Sequence, residues 1–368
     1  MSGSRPVRVG AVVLLGALAI AGCGAAGPGI ERGDPVEGVA APAISAVTPA
    51  KDPRAWQGVV SPTIDDDTID AVATEPTPQL PATLKDAQGT VVTVSDVSRV
   101  LALDLHGTLS RTVHELGMGK SLVGRDLSTQ FEPAVDLPLV TGQGHSLTAE
   151  AILELDPTLI ITDSSLGPWD VVLQMREAGI PVVVVNSDRN LDNVSELTEM
   201  TAAAMGVPEA GVLLAERTQR EIDAVRADIA EVAPADENAR LRTIFLYVRG
   251  SAGVYYMFGK GSGADDLIDS VGAYDVADEI GWAGMRPVTA EGLIAASPEL
   301  VVMMTGGLES TGGVEGLLEK LPALANTPAG RNERFVAVDD SLVLGYGPNT
   351  AEVLNALAVA VHAPQELQ

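Results

Sequence analysis

Thr148-Ala149-Glu150-Ala151-Ile152-Leu153-Glu154-Leu155-Asp156-Pro157-Thr158-Leu159-Ile160-Ile161-Thr162 returns 141 positions later as Thr289-Ala290-Glu291-Gly292-Leu293-Ile294-Ala295-Ala296-Ser297-Pro298-Glu299-Leu300-Val301-Val302-Met303. Five of the fifteen positions are identical, and four more exchange one aliphatic residue for another. Both copies carry the same physical instructions. A Thr with Glu two residues on opens a short helix, and the acid suits the positive end of the helix dipole. Pro ends that helix. The aliphatic run behind it has the length and uniform apolarity of a buried parallel strand. One αβ unit used twice predicts two similar lobes with a ligand between them.

Upstream of the first copy, residues 83–85 and 91–94 around Gln88-Gly89 read as an edge hairpin. Val100-Leu101-Ala102-Leu103 reads as a buried strand before a helix near 107–116, and Leu122-Val123-Gly124 as a short strand. Downstream come a helix near 169–178 and the strand Val182-Val183-Val184-Val185. This alternation predicts a parallel α/β lobe over 82–190. Residues 191–234 are predicted to join the lobes. A helix over 193–205 breaks at Gly206-Val207-Pro208, and a second runs over 209–232. Leu214, Ile222, Val225, Ile229 and Val232 make one apolar stripe on a rod of about 35 Å. The second lobe, 241–364, holds a strand over 243–248, a Gly-rich loop at 259–263, the second copy, a strand over 335–338 and a terminal helix over 350–361.

The chain's 368 residues exceed one ordinary domain, and 46% hydrophobic with 20% charged residues is a globular composition. A net charge of −27 excludes nucleic acid as a partner, because no basic stripe is available to neutralise phosphates. At the N-terminus, Arg5 and Arg8 precede an apolar stretch, 10–20, too short to span a bilayer. Ile20-Ala21-Gly22-Cys23 follows and resembles a lipobox. Cys23 is the only cysteine, so an internal disulfide is excluded. Residues 1–22 are therefore expected to be a signal peptide. Cys23 is the expected lipid anchor on the outer face of the cytoplasmic membrane, and Pro-, Ala- and Asp-rich residues 23–81 a disordered tether.

Lipobox, tether, paired α/β lobes, one long helix and the duplicated unit together resemble the metal-chelate class of ABC-transporter substrate-binding proteins. Within it, the chain is most similar to actinobacterial haem-binding lipoproteins of haem-uptake transporters. The segments that carry this likeness are Thr141-Gly142-Gln143-Gly144-His145 and Phe245-Leu246-Tyr247-Val248-Arg249-Gly250. The resemblance implies two Rossmann-like lobes joined by one long helix, the class III binding-protein fold, with haem as the transported ligand. It makes His145 and Tyr247 the iron ligands from opposite haem faces, with Arg249 beside the Tyr oxygen. It places Glu150 and Glu291 against an ABC permease and its ATPase, and upstream haem-donor surface proteins are a further partner it allows.

The residues themselves support part of this. Tyr247 falls at the C-terminal end of a predicted parallel strand, where α/β sheets place ligand groups. Alternation turns Arg249 the same way, and a guanidinium beside a phenol favours the phenolate, a hard donor suited to ferric iron. Repeat symmetry adds Arg286, since 145 + 141 = 286, as a candidate for a haem propionate. Tyr255, Tyr256, Met257, Phe258 and Tyr346 read either as porphyrin slot or as core. His106 and His114 read as structural, and His362 as a surface residue. A ferric siderophore or cobalamin remains an alternative cargo. An exported enzyme or a non-transport sensor lipoprotein remains an alternative role. Against an enzyme, no Gly-x-Ser-x-Gly elbow or His-Glu-x-x-His occurs, and Gly117-Met118-Gly119-Lys120-Ser121 has His114 where a phosphate loop requires its first Gly.

Overall fold

The computed structural model describes residue 1 and residues 37–64 and 68–368. Residues 2–22 of the predicted signal peptide and Cys23 lie outside the described residues. Three short strands come first, β1 (Val39–Ala40), β2 (Val59–Val60) and β3 (Pro62–Thr63), then the hairpin β4 (Ala82–Lys85) and β5 (Val91–Val94). The first lobe is a parallel sheet in the order β6 (Val100–Leu103), β7 (Leu159–Thr162), β8 (Val182–Val184). Every residue of these three strands is buried, which is why their sequences are aliphatic without alternation. Helices α1 (Thr108–Val113), α2 (Ala149–Glu154) and α3 (Trp169–Glu177) belong to this lobe. The strand expected at 122–124 is only an isolated bridge from Leu122 to Val100.

Two helices follow, α4 (Val194–Ala204) and α5 (Pro208–Val232). The apolar stripe of α5 serves both halves of the molecule. Leu214 packs in the core of the first lobe, while Ile222 and Ile229 pack in that of the second. A Cβ on Gly211 would overlap the Ala202 methyl, so Gly permits the close crossing of α4 and α5.

The second lobe contains β9 (Arg242–Arg249), β10 (Val254–Phe258), α6 (Ala264–Ser270), β11 (Tyr274–Asp275), α7 (Val276–Glu279), β12 (Met285–Pro287), α8 (Ala290–Ala296) and β13 (Leu300–Met304). It continues through α9 (Thr305–Glu309), α10 (Gly313–Lys320), α11 (Pro322–Ala325) and α12 (Pro328–Arg331) to β14 (Phe335–Val338) and α13 (Thr350–His362). Its sheet runs β12-β10-β9-β13-β14-β2, with β11 also on β9. The fold is mixed α/β with two Rossmann-like lobes joined by a long helix.

The duplication reads as geometry. Unit α2–β7 matches α8–β13, and each inter-element turn places a non-glycine residue in the left-handed region just before its Pro: Asp156 at φ 44° and Ser297 at φ 41°. Each strand is entered by the same bond, Thr158 N–H to the Arg99 carbonyl and Glu299 N–H to that of Arg242, both at 2.7 Å.

The described part of the expected tether is not free chain. Ile44 is 1% exposed in the second lobe's core, and β2 extends that lobe's sheet beyond β14. Arg54 donates to Glu299 at 2.9 Å and to the carbonyls of Asn238 and Arg240. Further on, the Val72 N–H reaches the Glu115 carbonyl and the Gln79 N–H that of Gly206, which ties residues 68–81 to the first lobe. Two-residue strands and contacts with partners hundreds of positions away leave no periodic trace in sequence, so composition alone suggested a loose tether.

Candidate functional site

The loop bearing His145 is closed at its base. Gly142 N–H bonds the Ser146 carbonyl at 2.7 Å, and Leu147 N–H bonds that of Gly167 at 2.6 Å. Gly144 and His145 both take positive φ, 66° and 62°, a left-handed conformation uncommon for a non-glycine residue. Ser128 Oγ lies 3.4 Å from His145 Nδ1. Its one hydroxyl proton goes to the Leu105 carbonyl at 2.5 Å, so toward the imidazole Ser128 can only accept. In the tautomer with its proton on Nδ1 the imidazole can donate to Ser128, and Nε2 keeps a free lone pair, the form in which histidine binds metals. Burial first, then the Arg249 charge, hold His145 below its ordinary value of 6.5, with Asp340 opposing.

Ser128 owes its place to buried charges at the C-terminal ends of β6, β7 and β8. Asp126 accepts from Thr129 N–H at 2.8 Å and Thr129 Oγ at 3.0 Å, and from Asp104 N–H at 3.1 Å, fixing the turn that carries Ser128. Burial, then the neighbouring Asp104, push the Asp126 carboxyl up to about 7. Arg189 bonds Asp163 at 2.6 Å and Asp104 at 3.4 Å.

Tyr247 stands near the end of β9. Its ring stacks on Phe258 at 5.9 Å, and the Arg249 guanidinium lies 4.8 Å from its centroid. Arg249 also donates to Asp340 at 3.1 Å, and Asp340 accepts from Gly306 N–H at 2.9 Å. The expected alternation holds, so Tyr247 and Arg249 share a side. Tyr256, directly opposite Tyr247 in the antiparallel pair, shares it too. Cross-lobe electrostatics bring His145 into this set through Arg249 and Asp340.

Arg286 is not brought to the same face. It pairs with Met257, which pairs with Leu246, so it stands on the opposite face of the sheet from Tyr247. It is exposed, with its guanidinium 6.0 Å from the Trp282 ring. The repeat fails here because the first copy is preceded by a Gly-rich turn and the second by the edge strand β12. Tyr346 is buried at the lobe junction, its hydroxyl donating to the Gly263 carbonyl. His362 is buried rather than at the surface, its Nε2 donating to the Val271 carbonyl at 2.7 Å. Glu150 and Glu291 are both exposed, in the first turns of α2 and α8.

Sequence reasoning missed Ser128, Asp340 and the placement of His106. Asp340 lies just past β14, and the rule that ligand groups follow parallel strands would have pointed to it. Burial, its largest influence, pulls His106 down to about 4, and its ring meets the Val343 backbone of the second lobe. It lines a small crevice together with Ser128, Phe131, Leu342 and Asn349.

Residues 105–342 match the family described as periplasmic binding protein. The chain belongs to that family. Like other periplasmic binding proteins of this kind, it is a substrate-binding component of an ABC importer and not an enzyme. Among solved structures, heme binding protein HmuT is 39% identical, with a TM-score of 0.80 over 85% of this chain and 100% of that one. HmuT has also been solved with single alanine substitutions of an Arg, a His and a Tyr. The periplasmic heme-binding protein RhuT from Roseiflexus sp. RS-1 is 34% identical, with a TM-score of 0.66 over 74% of this chain and 100% of that one. An uncharacterized ABC transporter substrate-binding lipoprotein, YvrC of Bacillus subtilis (strain 168), is 24% identical over 80% of this chain and 90% of its own length.

Proposed function

We propose that this binding protein captures haem outside the cell and hands it to an ABC permease. The observation that carries the reading is the convergence of His145 on one lobe with the Tyr247–Arg249 pair on the other. His145 Nε2 is the donor for one axial position and the Tyr247 oxygen for the other. The Arg249 guanidinium lies over the Tyr247 ring and is itself held by Asp340. Tyr256 and Phe258 supply apolar surface beside Tyr247. The haem-binding relatives support the choice of cargo. The Tyr and Arg altered in HmuT are two positions apart, the spacing of Tyr247 and Arg249. A lipoprotein relative supports a membrane-tethered, extracytoplasmic location, for which Cys23 is the proposed anchor. Glu150 and Glu291 are the proposed contacts with basic residues of the permease.

Absorption titration of the purified protein with haem, a ferric siderophore and cobalamin tests the cargo. Haem should produce a saturable Soret band with a 1:1 end point at micromolar protein, and the other two should not compete. Displacement of haem by either rival would transfer the reading to that cargo.

A further inference from the structure

Helix α2 buries Ile152 and helix α8 buries Leu293, each 1% exposed, so the inward face of each short helix is already filled. The outward faces should then be polar. Instead Leu153 is 48% exposed and Ile294 is 63% exposed. These two residues occupy the same place in the repeat, since 153 + 141 = 294. A single exposed aliphatic side chain is ordinary and needs no explanation. Two aliphatics at one duplicated surface position, with neighbours in the repeat free to change from Glu154 to Ala295, are a different observation. Each also lies three residues after an exposed glutamate, Glu150 or Glu291, a spacing that makes side chains neighbours on a helix.

We infer that Leu153 and Ile294 are apolar docking knobs which, with Glu150 and Glu291, form two matched acid-plus-aliphatic patches seated on the outer face of the ABC permease. This rests on the transport reading above. The complementary surface would hold two apolar sockets, each beside a basic side chain. In such a surface the charges steer and set register, while the desolvated aliphatic centre supplies residence time. The partner's basic character follows from the two carboxylates and from the chain's net charge of −27. A permease fits because one rigid partner must meet both lobes at once, and the patches sit at equivalent places on the two lobes.

The test uses the full chain and its permease–ATPase complex in nanodiscs. Leu153→Ser with Ile294→Ser should slow import and weaken docking by about 10-fold or more, mainly through faster dissociation. Leu153→Ile with Ile294→Leu should dock like the parent, while Glu150→Lys with Glu291→Lys should lower the association rate. Haem titration of each variant should be unchanged, which separates this surface from the ligand site. Docking and import at the parent's level in the double Ser variant would overturn the proposal. So would a parent that self-associates in sedimentation through these residues while docking is indifferent to them. A haem-loaded parent that does not bind the complex at all would overturn the transport reading as well. Loss of haem binding in the parent would overturn the cargo assignment alone.

Discussion

Ser128 has one proton to give, and the Leu105 carbonyl takes it; toward His145 it can only accept, from the Nδ1–H tautomer that leaves Nε2 free. Ser128→Ala should leave the fold intact, let the imidazole tautomerise and rotate, and weaken haem affinity about 10-fold, measured by fluorescence quenching. Arg286→Ala should leave that affinity unchanged, because Arg286 stands on the other face of the sheet. His114 makes a prediction about acid. Burial first, then Arg111, take it down to about 4, and it lies edge-on to Phe131. Between pH 6.5 and about 4 the unfolded chain binds this proton and the folded chain does not, so acid favours unfolding across that window. The buried Asp126 carboxyl, raised to about 7, acts in the opposite sense as pH falls. The parent should therefore lose Tm relative to His114→Gln as pH falls from 6.5 to 4, in paired thermal melts. A constant offset between the two curves would show that His114 does not titrate as described.

At the scale of elements, the segment before the first lobe is the test of what composition hides. Ile44→Ala removes a fully buried side chain and should cost about 2–5 kcal/mol in urea unfolding, whereas a free tether residue would cost nothing measurable. The apolar strands β6, β7, β8 and β13, the stripe of α5 and the β4–β5 hairpin were legible because burial, period and turn chemistry are local properties. Tyr247 and Arg249 were legible for the same reason, through alternation along one strand. What could not be read depended on distant partners. The strap before β4 pairs with β14, and Asp340 acquires meaning only beside Arg249. Repeat symmetry carried too far placed Arg286 in the cleft, while the actual element there is an edge strand.

At the scale of the molecule, one helix is shared by two cores, and the cleft side is bridged as well. Thr108 Oγ1 donates to the Gly345 carbonyl at 3.0 Å, and a Cβ on Gly263 would overlap the Arg189 carbonyl oxygen. A helix committed to both lobes resists wide hinge opening and permits small adjustments of one lobe against the other. Such adjustments suffice for cargo release if each lobe contributes one bond to the iron, because a small separation breaks one of the two. The most direct test is the low-temperature electron paramagnetic resonance and Soret spectrum of haem-loaded parent, His145→Ala and Tyr247→Ala at pH 7. Ligation by both residues predicts a His–Tyr ferric spectrum in the parent that each substitution changes differently, with the largest loss of affinity for Tyr247→Ala. Three superimposable spectra with equal haem affinity would contradict it.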